Sequence, residues 1–485
     1  MAEPSLRRFR PTASAPWDEV RAAHLLNRAG FGGPPEEVRR LVALGPDGAV
    51  EELLGYERVP EAFPPPDYSE LGRLAEEAEA LRRAGADEAA RRALAQRIGR
   101  AQREALQATR EWWVARMVQT RRPLQEKLVL FWHGLLVSGF PEVRNPVLLY
   151  QQNELFRRMA LGNFKALILA ISRDPAMLTY LDNASNRKGR PNENYARELL
   201  ELFTMGIGHY TEQDVKEAAR AFTGWTFRGT EFVFNRAQHD DGVKTFLGRT
   251  GPLDGTDIID IIFEQPATAR FLPRRLFEFF AGYCPPDGLV EELARTFRAV
   301  DFEVGPLVRT ILRSEAFYAP QALRAQVKSP AQLVIGTARL LGVGPEAARA
   351  LTLAMDLMGQ ALLIPPHVGG WPSGEGWITT STLLVRYNFA GLLTNGQMPG
   401  VPRRAAGGLR PVEVAGLLDG AETAGEAVAA LARRFLPGAV LDRKRTFALL
   451  RALGANRPAD PVRLTPQRVR TALHLILSMP EYQLC

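Results

Sequence analysis

The chain has 485 residues, of which 46% are hydrophobic and 24% charged, and its formal net charge is +7. That length fits roughly two or three domains with a large buried core, and the composition excludes a disordered or collagen-like chain. The basic excess is interleaved with acids, as in EEAEALRRAGADEAARRALAQR (76–97), and forms no one-sided patch, so nucleic acid is not an expected partner.

Residues 1–17 read as a flexible arm. Arg7 and Arg8 are not followed by an apolar run, so neither a secretory nor a twin-arginine leader is expected, and the chain as it stands reads as cytoplasmic. From Trp17, DEVRAAHLLNRAG has helical spacing and a Gly stop, and 34–54 follows as a short helix pair started by Pro34-Pro35. A proline-rich linker (57–68) leads into a polar, Ala/Arg/Glu-rich stretch over 69–120 with a break near Gly85. This predicts a helical hairpin laid over the core. RRPLQEKLVLFWHGLLVSG (121–139) reads as a buried helix starting at Pro123, and further helices are expected over 146–162 and 163–172.

Residues 191–215, PNENYARELLELFTMGIGHYTEQDV, read as helix, corner, helix. Asn192 suits the N-cap, and helical spacing divides the segment into an apolar face and a polar one carrying Asn194, Arg197, Glu198 and Glu201. Glu193, Arg197 and Glu201 are spaced as a surface ion-pair ladder, whereas Asn194, Glu198 and Glu201 at i, i+4 and i+7 present oxygen ligands of the kind a divalent cation takes. Both readings stay open at this point. Thr211 with Asp214 makes a capping box for the next helix, and WTFRGTEFVFN (225–235) alternates as a small β-hairpin. The loop HDDGVKTFLG (239–248) adds His239, Asp240 and Lys244, types that ligate metals or move protons, with an exposed turn as the alternative.

Helices are expected over 256–263, 266–281, 287–299, 304–314, 328–342 and 346–359. Cys284 and Cys485 are the only cysteines, which excludes a disulfide framework and a cysteine zinc site. The loop LLIPPHVGGWPSGEGW (362–377) offers Trp371 and Trp377 as flat faces suited to sugars or other rings, or as anchors of a rigid corner. A basic linker (400–411) precedes a final helical segment. The division expected is an arm (1–17), a main helical domain (18–400) with the 69–120 hairpin inserted, and a C-terminal segment (401–485) packed on it. The fold class is mainly α, a multi-helical globular protein with one small β-hairpin. No GxGxxG, Walker, GxSxG or HExxH pattern occurs, and no uncharged apolar run is long enough to span a membrane.

HLLNRAGFG (24–32), LVLFWHGLLVSG (128–139), the 152–215 block, ARAFTGWTF (219–227), HDDGVKTFLG, KSP (328–330) and PPHVGGWPSGEGWITTSTLLVRYNF (365–389) resemble the bacterial family called domain of unknown function 1800 (DUF1800). The resemblance spans nearly the whole chain and brings no established activity. It implies an exported location as the alternative, and a sulfatase- or phosphatase-like partner protein. It also implies that His24, Arg28, His133, Asp174, Asp182, Asn192, Glu193, Asn194, Arg197, Glu198, Glu201, His239, Asp240 and Lys244 are polar motif positions, which favours a shared pocket. The expected function is metal-assisted or acid–base hydrolysis of a polar or envelope-derived substrate. Glu198, Glu201, His239 and Asp240 would be the catalytic and metal-binding groups for a divalent ion. Asn192, Asn194, Arg197, Lys244, Arg28, His24, His133 and Trp371 would bind the ligand. The rival expectation is a non-catalytic helical binding or assembly protein.

Overall fold

The fold is a computed structural model that describes residues 5–485 apart from 86, 400, 403–406, 408 and 419. Among the described residues helices dominate, and the strands form two separate two-stranded antiparallel sheets. Helix starts follow the local chemistry. Asp18 accepts from the Arg21 N–H to begin Glu19–Arg28, and the Thr211/Asp214 capping box begins Glu212–Ala221. Proline occupies the first turn of Pro123–Leu135, Pro146–Arg158, Pro266–Ala281 and Pro330–Leu341, where its missing N–H costs no intrahelical bond.

The hairpin of Ser69–Arg83 and Glu88–Gln119 has two characters. Its outer part buries only a small core of its own, Leu74, Leu94 and Ala101, and its surface pairs Arg97 with Glu77. From Leu106 the long helix enters the main core, with Trp113, Val114 and Met117 fully buried.

Pro123–Leu135 is buried on nearly every side, although it carries Glu126 and Lys127. A buried charge is tolerated only with partners. Glu126 accepts from Arg116 Nε at 2.8 Å, Arg157 Nε at 2.5 Å and Trp113 Nε1 at 3.1 Å. Burial pushes its carboxyl up, but Arg157 and Arg116 outweigh that and hold it below its ordinary value. One carboxylate thus ties Glu88–Gln119, Pro123–Leu135 and Pro146–Arg158 together.

Both ends of the described chain are held. The arm expected to be flexible is pinned instead: the Phe9 N–H bonds Arg313 O, Ala316 N–H bonds Ser5 O, and Phe9 stacks near Tyr318. At the other end Cys485 and Gln326 exchange backbone hydrogen bonds. The helices Ala424–Phe435, Arg443–Ala452 and Pro466–Ser478 contribute to the same apolar core as the residues before them.

The expected hairpin forms as Trp225–Arg228 paired with Glu231–Phe234. The 239–248 segment, expected as a loop, supplies the first strand of a second hairpin, Lys244–Phe246 paired with Arg249–Gly251. The 34–54 pair runs as Pro35–Leu54 with a kink at Gly45. The stretch after the Trp loop, to which no element was assigned, is the helix Thr380–Asn395, begun by a Thr379/Thr382 capping box. No described helix is long and apolar enough to cross a membrane.

Candidate functional site

The polar segment around 192–201 departs from a regular helix. Asn194–Glu198 is α-helical, and Leu199–Thr204 continues as a π-turn in which Met205 N–H reaches Leu200 O at 3.0 Å. The extra residue in the turn rotates everything after Glu198 away from the even helical spacing. Asn192 does not cap the helix; its side-chain oxygen accepts from Asn194 N–H at 3.0 Å in a local turn, and Asn194 is exposed. Arg197 pairs with Glu193 and, more closely, with Glu212 at 2.7 Å, while Glu201 accepts from the Tyr210 hydroxyl at 3.0 Å. The expected Glu193–Arg197–Glu201 ladder is therefore only half made. Burial and then the Glu201 charge raise the half-buried Glu198 carboxyl, with Arg197 opposing.

The HDDGVK segment folds onto the end of Glu212–Ala221. His239 is buried, with Nδ1 2.8 Å from Thr223 O and its ring edge-on to Phe234. Asp240 accepts from Arg220 Nε at 2.8 Å, and that bond holds its carboxyl down at about 2. The buried Lys244 ammonium donates to the carbonyls of Asp240 and Gly242. His239 and Asp240 are thus engaged by Thr223 and Arg220 at the end of the preceding helix, and Lys244 by carbonyls of its own loop. Among the described residues no three His, Cys, Asp or Glu side chains form a group able to hold a metal ion. The quartet Glu198, Glu201, His239 and Asp240 is therefore not gathered as a metal centre.

His24, Arg28 and His133 are bracing residues in the core. His24 Nε2 lies 3.0 Å from Phe317 O, and His133 Nε2 lies 3.0 Å from Asn153 Nδ2 with its ring between Trp113 and Phe156. Burial pushes both imidazoles down to about 3, so they are neutral near pH 7. The Arg28 guanidinium donates to Phe280 O at 2.6 Å and to the Gln326 side chain, joining the first helix to two later segments.

A different set of residues surrounds a cleft of about 660 Å³. One stripe of the buried helix, Lys127, Leu130, Phe131 and Gly134, forms its floor at i, i+3, i+4 and i+7. Ser329, Gln332 and Gln360 add polar groups, and Trp371 and Trp377 of the Gly/Pro loop wall it. The KSP motif has a structural cause here: Ser329 accepts from Gln332 N–H and caps Pro330–Leu341, which fixes Gln332 over Lys127. The Trp loop is seated by a close approach. Gly370 has φ +81°, and a Cβ there would stand 2.4 Å from Gly134 O, so only glycine fits.

Lys127 is the chemical centre of this cleft. Its ammonium lies 5.3 Å from the ring centres of Phe31 and Phe279 and donates to the Gln332 side-chain oxygen. Burial drives its pKa down to about 7, with the nearby Arg28 charge adding to the effect. One donor in the wall, Trp371 Nε1, is buried and has no partner among the described residues. Of the expected binding residues, Trp371 reaches the cleft, and Arg28 and His133 brace the elements around it. Lys127 and Gln332 were not among those residues. The available signal was Lys127 itself, a cation in the middle of the apolar run PLQEKLVLFWHGL.

The structure defines a mainly α-helical protein in which the buried helix Pro123–Leu135, the KSP segment and the Trp loop line one cleft, while the 192–201 and HDDGVK segments lie outside its lining. The chain belongs to the DUF1800 family, described as a protein of unknown function, whose sequence pattern matches residues 24–484. No curated protein and no solved structure matches the chain.

Proposed function

We propose that the cleft over Lys127 binds a polar, ring-bearing small molecule of the sugar class, and that Lys127 moves a proton within it. The carrying observation is the Lys127 amine, lowered to about 7, on the floor of a cleft walled by Trp371 and Trp377. A cleft of this size matches small-molecule sites, and a perturbed ionisable group in such a cleft is a marker of chemistry. Indole faces suit the apolar faces of sugar rings, while the amides of Gln332 and Gln360 suit hydroxyls. An amine with a pKa near neutrality is available both as base and as acid, so the reaction class it fits is acid–base cleavage of a polar substrate. The concave, small-molecule dimensions favour this over a partner-protein surface.

A glycan and cell-envelope sugar panel screened by saturation-transfer NMR tests the reading. Binding is expected that Trp371→Ala weakens at least tenfold, with Lys127→Gln retaining binding and losing turnover of the bound compound. Hits whose affinity ignores Trp371→Ala would refute the assignment of the cleft.

A second reading rests on Glu198. Its carboxyl is raised by burial and by the neighbouring Glu201 charge, an environment that suits a general acid. On this reading the two glutamates do acid–base work without His239 or a metal. Loss of turnover in Glu198→Gln with Lys127→Gln fully active would favour it.

A further inference from the structure

Gln332 also lines a second, smaller cavity of about 250 Å³, so that one side chain borders both. Its two amide ends differ. The oxygen accepts from Lys127, on the side of the larger cleft. The Nε2 lies 3.8 Å from where a Cβ on Gly336 would stand, and Gly336 lines the smaller cavity. Gln332 is 3% exposed, and this Nε2 has no partner among the described residues. A buried donor left unmatched costs on the order of 1–3 kcal/mol, which a ligand acceptor would recover.

The charged part of the lining is mostly cationic. Arg39, Lys328, Arg433 and Arg434 contribute cations, and Glu19 is the one carboxylate among the described lining residues. Lys328 is buried, stands 3.9 Å above the Tyr482 ring centre and donates to Tyr482 O at 2.8 Å. That leaves ammonium hydrogens unassigned, since a lysine carries three. Arg434 donates through Nη2 to Leu340 O at 3.0 Å, while its Nε is buried without a partner. Asn27 turns its amide nitrogen to Ala23 O. Burial lowers both Lys328, to about 8, and Arg434; the Arg39 charge adds to the lowering of Arg434 and Glu36 opposes it. The approach of the walls depends on Gly336, where a Cβ would meet Phe31 O at 2.4 Å.

We propose that the smaller cavity is a binding site for a phosphate-type oxyanion, held by Lys328, Arg434 and the Gln332 amide. The cavity, about 250 Å³, admits a phosphate group together with water or part of the molecule that carries it. Four cations, a buried orphan donor and a second orphan donor on Arg434 present donors without a matching set of acceptors. Occupancy has a consequence at the other end of Gln332. A negative charge behind the amide favours the charged form of Lys127, so its pKa rises when the small cavity fills. The proposal stands on its own lining and does not require a sugar in the larger cleft.

Isothermal titration calorimetry of the full chain tests it, with inorganic phosphate, a sugar phosphate and chloride at constant ionic strength as probes. Saturable binding of inorganic phosphate identifies the free ion as sufficient. Binding of the sugar phosphate alone identifies the group as carried on a larger ligand. Arg434→Gln is expected to weaken either by tenfold or more, and Arg433→Gln, on the exposed rim, by a smaller factor. Arg270→Gln, which removes an exposed partner of Glu291 outside the cavity, is expected to change nothing. Should Arg434→Gln melt far below wild type, Arg433→Gln decides alone. Absence of saturable binding by both phosphate probes, or affinity untouched by both cavity variants, overturns the proposal.

Discussion

Lys127 and Gln332, 205 residues apart in sequence, are joined by a hydrogen bond from the ammonium to the side-chain oxygen. The bond holds a cation between Phe31 and Phe279, where water solvation is largely lost. The partner is neutral, and the opposing charge at Cys485 offsets the burial only in part. This is why the pKa falls, in contrast to the neighbouring Glu126, whose two guanidiniums keep it ionised.

Lys127 is expected to titrate near pH 7 in NMR of the protein carrying isotope-labelled dimethyl-lysines. The sign for stability follows from linkage. The folded pKa, about 7, lies below the ordinary 10.5, so the folded state is penalised for holding the charge at low pH. The penalty is full below pH 7 and fades as pH rises towards 10.5. Lys127→Met is therefore expected to gain stability relative to wild type at pH 6, with the gap closing by pH 10. A Lys127 signal titrating with the exposed lysines would remove the basis for proton transfer in the cleft.

Glu126→Gln tests the ion cluster. It leaves Arg116 and Arg157 buried and no longer balanced by a fully buried carboxylate. Breaking a buried pair this way costs about 3–5 kcal/mol, and urea unfolding should show it as a lower midpoint with an unchanged slope. Replacement of an exposed pair such as Arg97–Glu77 is expected to cost less than about 1 kcal/mol.

The acid limb of stability is expected to be set by His24 and His133 and opposed by Asp174. Both histidines have folded pKa values of about 3 against 6.5, so the unfolded chain takes up their protons first and stability falls as pH drops from 6.5 towards 3. Asp174 runs the other way: burial raises it to about 7, so its contribution is full below its ordinary 3.8 and is lost as pH rises through 7. It accepts from Gln152 and caps Pro175–Tyr180. Asp174→Asn keeps a side-chain acceptor for the cap, so its stability relative to wild type should grow between pH 4 and pH 7. Thermal melts across that range check both signs; a difference that shrinks with pH would contradict the assignment.

The parts of the fold legible in the sequence were those governed by local chemistry. Thr211 with Asp214, Pro123 and Pro266 announce helix starts because capping and proline geometry involve neighbours within one turn. The 225–235 hairpin was legible for the same reason. The π-turn at Leu199–Thr204 was not, since one extra residue per turn leaves no mark on polarity. His239 and Asp240 resembled metal ligands because residue type and spacing say nothing of Thr223 and Arg220, which engage them. Trp371, which the stiffness of its loop offers as a groove wall or as the anchor of a rigid corner, lines the larger cleft. Lys127 was passed over because what distinguishes it is supplied by Phe31, Phe279 and Gln332, all remote in sequence.

Gly370 links loop geometry to the cleft most directly. Its left-handed backbone and its approach to Gly134 O both exclude a side chain, so Gly370→Ala must shift the loop that carries Trp371. Substitution at a positive-φ position without room costs more than about 1 kcal/mol. The larger effect is expected on the cleft, because a loop lifted off Gly134 takes the Trp371 ring with it; that ring lies 3.9 Å from where a Cβ on Gly134 would be. In binding measurements Gly370→Ala should therefore reproduce the loss expected of Trp371→Ala while adding a lower melting temperature. Gly374→Ala, in the same loop at φ +54° with open space around it, carries backbone strain without the clash. It should lower the melting temperature and leave affinity nearly intact. Equal loss of affinity in both variants would mean that loop stiffness, rather than its seating on Gly134, shapes the site.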